Sequence, residues 1–134
     1  MKAKFSPSWN SSTQPRKQRK YIANAPLHIR QKLVSVHLSK DLRKQLRKRS
    51  LPIRKGDEVK VIRGKKKGLK GKVAEVDLSA LSIYLEGQLR EKISGRKVPL
   101  PFRPSNLQLT DVKLTDKKRV AIIERAKTKG VTKV

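Results

Sequence analysis

The sequence predicts a mainly β protein: a small barrel carrying a basic amino-terminal extension with two short helices, and closed off by a short carboxy-terminal helix. Three observations predict it. Between Ile53 and Val112, short β-type apolar runs recur with turn residues between them. Before that stretch the apolar residues fall at roughly helical spacing among many cations, and after it Val120 and Ile123 lie three apart behind Asp116. The 134-residue chain therefore divides into an arm (1–25), a helical extension (26–52), the barrel (53–112) and a helix with a tail (113–134).

Residues 1–25 are rich in Ser, Pro, Asn, Gln and basic groups. They hold too little apolar area to fold alone, so they are expected to be disordered in the free protein and to order on a partner. Trp9 and Tyr21 are isolated aromatics there; each either stacks on an unpaired base or packs on neighbouring protein. Pro26 suits the first helical position, and Leu27, Ile29, Leu33 and Val34 carry the pattern as far as Val36, with Arg30 and Lys32 pointing outward.

Ser39 is placed to cap a second helix, with Asp41 in its first turn and Leu42 and Leu46 four apart. That helix carries Arg43, Lys44, Arg47, Lys48 and Arg49, and like charges at such spacing weaken an isolated helix. Pro52 stops it and begins extended chain.

Five strands follow: 58–62, 72–77, 81–86, a segment around 97–100, and 107–112. Five short strands in about sixty residues predict a small barrel. Lys55-Gly56-Asp57 and Ser94-Gly95-Arg96 are turn signals. Pro99, Pro101 and Pro104 confine the fourth run to an edge or a loop, because proline cannot donate to a ladder. Val73 and Val76 cannot share a face of a regular strand, which predicts a bulge or bend in the second. The last helix is expected in the segment from Asp116 to about Lys127, with Asp116 placed to cap it, and the residues after it are expected to fray.

The formal charge is +26, from 36 basic and 10 acidic residues. Self-repulsion at this density opposes compaction, so a polyanionic partner is expected to offset it. Residues 1–55 hold sixteen of the cations and one acid, Asp41, whereas residues 56–110 hold twelve and six. The amino-terminal part is therefore read as a binding arm, and the better balanced middle as the module that folds.

The absence of cysteine excludes disulfides and cysteine-based zinc sites, and His28 and His37 cannot complete a metal site alone. No serine or threonine has a recognisable His and carboxylate set, so no catalytic constellation, cofactor or small-molecule substrate is expected. The first residues lack the apolar core of a leader, and no window approaches the about 20 apolar residues of a membrane span. An intracellular protein with no membrane partner is the expectation.

The most informative local feature lies between the first two strands. Arg63, Gly64, Lys65, Lys66, Lys67, Gly68, Leu69, Lys70, Gly71 and Lys72 form a glycine-punctuated cationic loop. Glycine reaches positive φ and removes side-chain bulk, so the backbone can approach a polyanion while the lysines neutralise it. The string half-matches a phosphate-binding P-loop, but it lacks the four-residue spacer and the Ser or Thr that would hold Mg²⁺.

From Gly56 through Val73 the residues resemble the KOW motif, a strand-loop-strand unit of SH3-like barrels. The flanks 24–33, 38–43 and 49–57, with Ile83-Tyr84-Leu85-Glu86-Gly87, Arg90-Glu91-Lys92 and Arg103-Pro104-Ser105-Asn106-Leu107, are similar in order and spacing to one family. It is the universal large-subunit ribosomal protein family numbered twenty-four, called twenty-six in eukaryotes, in its archaeal and eukaryotic branch. The resemblance spans about residues 14–127. It implies an SH3-like barrel and a structural constituent that binds large-subunit ribosomal RNA directly, contacts neighbouring ribosomal proteins, joins early in assembly, lies near the polypeptide exit tunnel and works on cytoplasmic ribosomes. The proline-rich 97–102 segment and the lack of a long charged tail depart from the family pattern.

The candidate RNA-binding residues are Arg16, Lys17, Arg19 and Lys20 of the arm; Arg30, Lys32, Arg43, Lys44, Arg47, Lys48 and Arg49 of the helical extension; and Arg63, Gly64, Lys65, Lys66, Lys67, Gly68, Lys70, Gly71 and Lys72 of the loop. Two other readings compete. A transcription elongation factor with the same motif would not sediment with large subunits in salt, and a general nucleic-acid compaction protein would bind duplex DNA as tightly as ribosomal RNA.

Overall fold

Period-2 apolar patterns dictate the framework. Val59 and Val61 alternate with outward Glu58 and Lys60 in one strand, and Leu107 and Leu109 do the same in another; all four apolar side chains are buried. The structure, a computed structural model, describes residues 5, 6, 8 and 11–128. Trp9 and the end of the tail lie outside the described residues.

Helix α1 (Pro15–Asn24) and α2 (Leu27–Leu33) are followed by strand β1 (Ser35–Leu38), helix α3 (Lys40–Leu46) and strand β2 (Ser50–Pro52). Strands β3 (Glu58–Val61), β4 (Lys70–Asp77), β5 (Ser82–Glu91), β6 (Lys97–Phe102) and β7 (Leu107–Asp111) come next, and α4 (Lys117–Thr128) ends the fold. The strands form one seven-stranded sheet in the order β2-β1-β7-β3-β4-β5-β6. Only β1 and β7 pair in parallel, with His37 opposite Gln108; the other neighbours are antiparallel.

The mainly β reading holds, but the expected closed five-stranded barrel does not. The sheet is open, with β2 and β6 at its two edges. Pro99 and Pro101 lie in β6 and offer no N–H to a further strand, which is why this run sits at an edge. The bend expected in the second strand is real. Residues 70–72 of β4 pair with β3, residues 73–77 pair with β5, and the register shifts between Val73 and Glu75. That bend turns the two halves of the sheet toward one shared core, joining Val36, Leu38, Val59 and Leu109 from one half to Val73, Ile83 and Phe102 from the other.

Two strands replace helix at the sequence level. The helix expected through Val36 stops at Leu33, because Val34, Val36 and Leu38 alternate into the core and the chain between them joins the sheet. The second helix ends at Leu46 rather than at Pro52, with Arg47 in the left-handed conformation (φ 48°) turning the chain into β2. Pro26 is the residue before α2 rather than its first. Ser39 caps α3 as expected, its hydroxyl accepting from the Leu42 N–H at 3.3 Å. Asp116 caps α4, accepting from the N–H groups of Lys118 and Arg119. Helix α1 lies within the arm for which the sequence predicts no element, and it buries none of its residues.

The fold is locked by a buried ion pair. Asp57, 0% exposed, and Arg119, 3% exposed, meet through two hydrogen bonds of 2.7 and 2.6 Å, so neither charge is solvated and each depends on the other. Asp57 also accepts from the backbone N–H groups of Arg54 and Lys113, and Arg119 donates to the carbonyls of Lys113 and Pro52. The sequence marks Asp57 only as part of a turn signal; its carboxylate also ties α4 to the β2–β3 turn. Replacing Asp57 with Asn keeps the shape and leaves the Arg119 charge uncompensated, which should lower the unfolding free energy by about 3 kcal/mol. Urea denaturation at neutral pH measures this, and a loss below about 1 kcal/mol would contradict a dry ion pair.

Candidate nucleic-acid interface

The glycine–lysine segment forms the tip of the β3–β4 hairpin. Lys60 faces Lys70 across the ladder, and the Val61 N–H donates to the Leu69 carbonyl at 2.8 Å. The tip is built of hydrogen-bonded turns, with Lys67 N–H donating to Gly64 O, Leu69 N–H to Lys66 O and Gly68 N–H to Val61 O. Gly64 and Gly68 sit at φ +91° and +92°, where a side chain would be strained, although a Cβ at either would meet no atom within 4 Å. Their requirement is conformational. Gly71 differs from the expectation: it lies inside β4 without positive φ, and a Cβ there would reach Leu85 at an ordinary 3.6 Å.

Arg63, Lys65, Lys66 and Lys67 are all exposed, as are Lys70 and Lys72 on the outer face of β4. Lys72 lies opposite Glu58, an attractive pair, whereas Lys60 and Lys70 are like charges directly opposed. Lys60 was not singled out from sequence, though the inward placement of Val59 and Val61 already turns it outward. Leu69 packs against the core and anchors the tip from beneath.

Arg16, Lys17, Arg19 and Lys20 are exposed on α1. This helix has no side-chain cap and no acid in its first turn. Ten residues with four cations form a marginal helix by themselves. Tyr21 is not isolated: its ring lies 5.0 Å from that of Phe5, centroid to centroid.

The helical extension splits into two kinds of cation. Arg30 was expected to point outward, yet its guanidinium donates to three carbonyls, those of Ala23, Ala25 and Ser79, at 2.9 to 3.0 Å. It fastens the end of α1 to the β4–β5 turn, and its planar fork is suited to several acceptors at once. Arg43 is likewise half-buried, with Nε donating to Leu38 O at 2.9 Å. Lys44, Arg47 and Arg49 are exposed, and Lys44 and Arg47 share a cleft with Lys127 of α4. Lys32 and Lys48 line another cleft, together with Arg125 of α4. Burial, and then the Arg125 guanidinium, push the Lys48 ammonium below its ordinary pKa.

The candidate residues thus fall into separate groups. The hairpin tip lies on β3 and β4, the α2–α3 cations lie beside β1 and β2, and β7 runs between the two sets in the sheet. Sequence reasoning missed Arg125 and Lys127, since only the docking of α4 brings them beside the extension. Among the described residues, every side-chain hydrogen bond from a basic residue comes from an arginine, as from Arg30, Arg43, Arg103, Arg119 and Arg125. No group of three or more His, Asp or Glu residues is placed to hold a metal among the described residues, and none of their helices is long and apolar enough to cross a membrane.

The model of one ribosomal protein family, described as that of the eukaryotic L26 proteins and their archaeal L24 counterparts, matches residues 12–126. The chain belongs to this family, and is therefore a ribosomal protein of the large subunit, a structural constituent of a ribonucleoprotein used in translation.

Arg47 combines an exposed charge with a left-handed backbone that costs a non-glycine residue about 1–2 kcal/mol, against roughly 0.5–1 kcal/mol of extra chain entropy lost by glycine. Arg47→Gly should therefore raise stability by about 0.5 kcal/mol. A urea midpoint that fell instead would mean that the Arg47 side chain itself contributes to packing.

Proposed function

We propose that the protein anchors itself directly to large-subunit ribosomal RNA by charge, using the β3–β4 hairpin tip as its principal contact. The observation that carries this reading is the tip itself: Arg63, Lys65, Lys66 and Lys67 are exposed around two glycines whose positive φ holds the backbone in tight turns. No acid lies between Arg63 and Lys72. A loop that was only a solvated connection would gain from mixed signs of charge, and this one has a single sign.

A-form RNA hides its base edges in a deep and narrow groove, so the lysines meet phosphates, and specificity comes from the shape that presents those phosphates. The exposed cations of α1 and of the α2–α3 extension supply further phosphate contacts. The pairing of Lys60 with Lys70 and the charge density of α1 cost stability in the free chain, and both costs fall once phosphate lies nearby. The family resemblance supports an early role in subunit assembly, a position near the exit tunnel and contacts with neighbouring ribosomal proteins on cytoplasmic ribosomes.

Neutralising about eight phosphates gives a log–log dependence of affinity on salt with a slope near −6 or −7. Filter binding to a large-subunit RNA fragment across a salt series measures it, and a slope near −2 would sink the mechanism. Reversing Lys65, Lys66 and Lys67 to Glu together should weaken binding by at least about a hundredfold, at some 1–2 kcal/mol per lost contact, with an unchanged far-ultraviolet spectrum. Unchanged affinity would remove the tip from its role as anchor.

A further inference from the structure

The cleft that holds Lys48 has a volume of about 500 Å³ and is walled by four elements and the chain between α3 and β2. Lys32 comes from α2, Ser35 from β1, Lys48 from the α3–β2 connection, Ser50 from β2, and Ile122 and Arg125 from α4. None of its eight lining residues is acidic, and three are cationic. Three positive side chains line the cleft without a carboxylate, and the repulsion between Lys48 and Arg125 is unfavourable in the free protein. Residues 32, 48 and 125 are far apart in the chain, so no local pattern accounts for the cluster. Folding builds it, by laying α4 across the extension.

We propose that this cleft is a composite phosphate site that takes one phosphodiester group of an RNA backbone, with the Lys48 ammonium and the Arg125 guanidinium as its main donors. Lys32 adds charge from α2. Ser50, whose hydroxyl makes no hydrogen bond among the described residues, adds a neutral donor; Ser35 is already engaged, donating to Lys32 O at 2.7 Å. The charged groups that line the cleft with Lys48 are Lys32 and Arg125, and β1 and β2 bring only serines and a proline. A tetrahedral oxyanion accepts from an ammonium and a guanidinium together, and the remaining volume is room for the adjoining sugar. The lowered pKa of Lys48 agrees with this, since burial first and the Arg125 guanidinium second disfavour an ammonium that has no anion beside it in the cleft. The site rests on the RNA-binding reading for the source of its phosphate, and it extends that reading to the carboxy-terminal helix.

The test uses the full chain with ¹³C-labelled lysine and ¹⁵N-labelled arginine. Inorganic phosphate in the millimolar range should shift the Lys48 Cε and Arg125 Nη resonances together and saturably, since Arg125 Nε–H already donates to Ala121 O at 3.2 Å, and raise the Lys48 titration midpoint toward that of an ordinary lysine. Arg125→Gln should abolish the saturable shift, and Arg125→Lys should retain part of it. A linear drift shared by all lysines, or a saturable shift that survives in R125Q, would overturn the site. In the RNA arm, with a large-subunit RNA fragment, R125Q should bind about tenfold more weakly and lose about one phosphate's worth of salt slope. Tight binding by the wild-type chain with R125Q unaltered would overturn this site alone. Failure of the wild-type chain to bind RNA at all, with phosphate still saturating, would overturn both the RNA reading and the assignment of the cleft to an RNA phosphate.

Discussion

The buried pairing of Asp57 with Arg119 is the constraint on which the other parts of the molecule depend. Its two charges are out of water, and each is compensated by the other and by backbone groups from separate segments: Arg54 before the β2–β3 turn, Pro52 in β2, and Lys113 in the β7–α4 linker. Breaking such a pair leaves a buried charge with nothing to offset it, so the segments are held or released together. One atom, Arg119 Nε, is the sole buried side-chain nitrogen or oxygen without a partner among the described residues. The pairing therefore runs close to the limit of what its surroundings can satisfy. Through it α4 is seated on the core by Ile123, and only from that seat does Arg125 reach the cleft that holds Lys48.

Around this lock the molecule holds several unfavourable arrangements. Lys60 opposes Lys70, Lys48 lies near Arg125, Lys44 and Arg47 share a cleft with Lys127, and Arg47 is itself left-handed. The opposed lysines cost tenths of a kcal/mol and the left-handed Arg47 about 1–2 kcal/mol in the free chain, magnitudes that matter against a total stability of about 5–15 kcal/mol. A phosphate beside each of the first three would relieve it, because each brings together exposed or half-exposed cations. A fold selected for stability alone would have separated them with acids. The chain has only 10, and two of those are committed to Arg119 and Arg54.

Local chemistry was legible in the sequence and long-range pairing was not. Ser39 and Asp116 cap the helices they were expected to cap, since a cap depends on residues two or three positions away. The bend in β4 could be read from the spacing of Val73 and Val76, and the edge position of β6 from its prolines. Strand β1 was hidden because Val34, Val36 and Leu38 overlap a helical pattern that begins at Leu27. What makes this segment a strand is pairing on both sides, with β2 as at Val36 opposite Leu51, and with β7, some seventy residues away, as at His37 opposite Gln108. The same contrast governs the candidate interface. The hairpin tip is contiguous and announces itself by composition, whereas the Lys48 cleft exists only once α4 has docked. Arg30 misled for a related reason: spacing gives the face of a helix but not the carbonyls that a long side chain can reach back to.

Arginine and lysine divide the work, and the division follows from their shapes. A guanidinium presents several donors in a rigid plane, so one Arg30 can satisfy three carbonyls and one Arg119 can satisfy a carboxylate and two carbonyls. An ammonium on a flexible stem gains less from such fixed geometry and is strongly hydrated. Lysine predominates where the hairpin tip meets solvent, and arginines hold α1, the β4–β5 turn and α4 in place. The charge free to face a partner is consequently smaller than +26 suggests, because part of the basic complement is structural. Removing a lysine from the tip should act on binding with little effect on folding, and removing Arg30 or Arg119 should do the reverse. Identical side-chain charge thus has opposite consequences according to whether the donors face water or the molecule's own carbonyls.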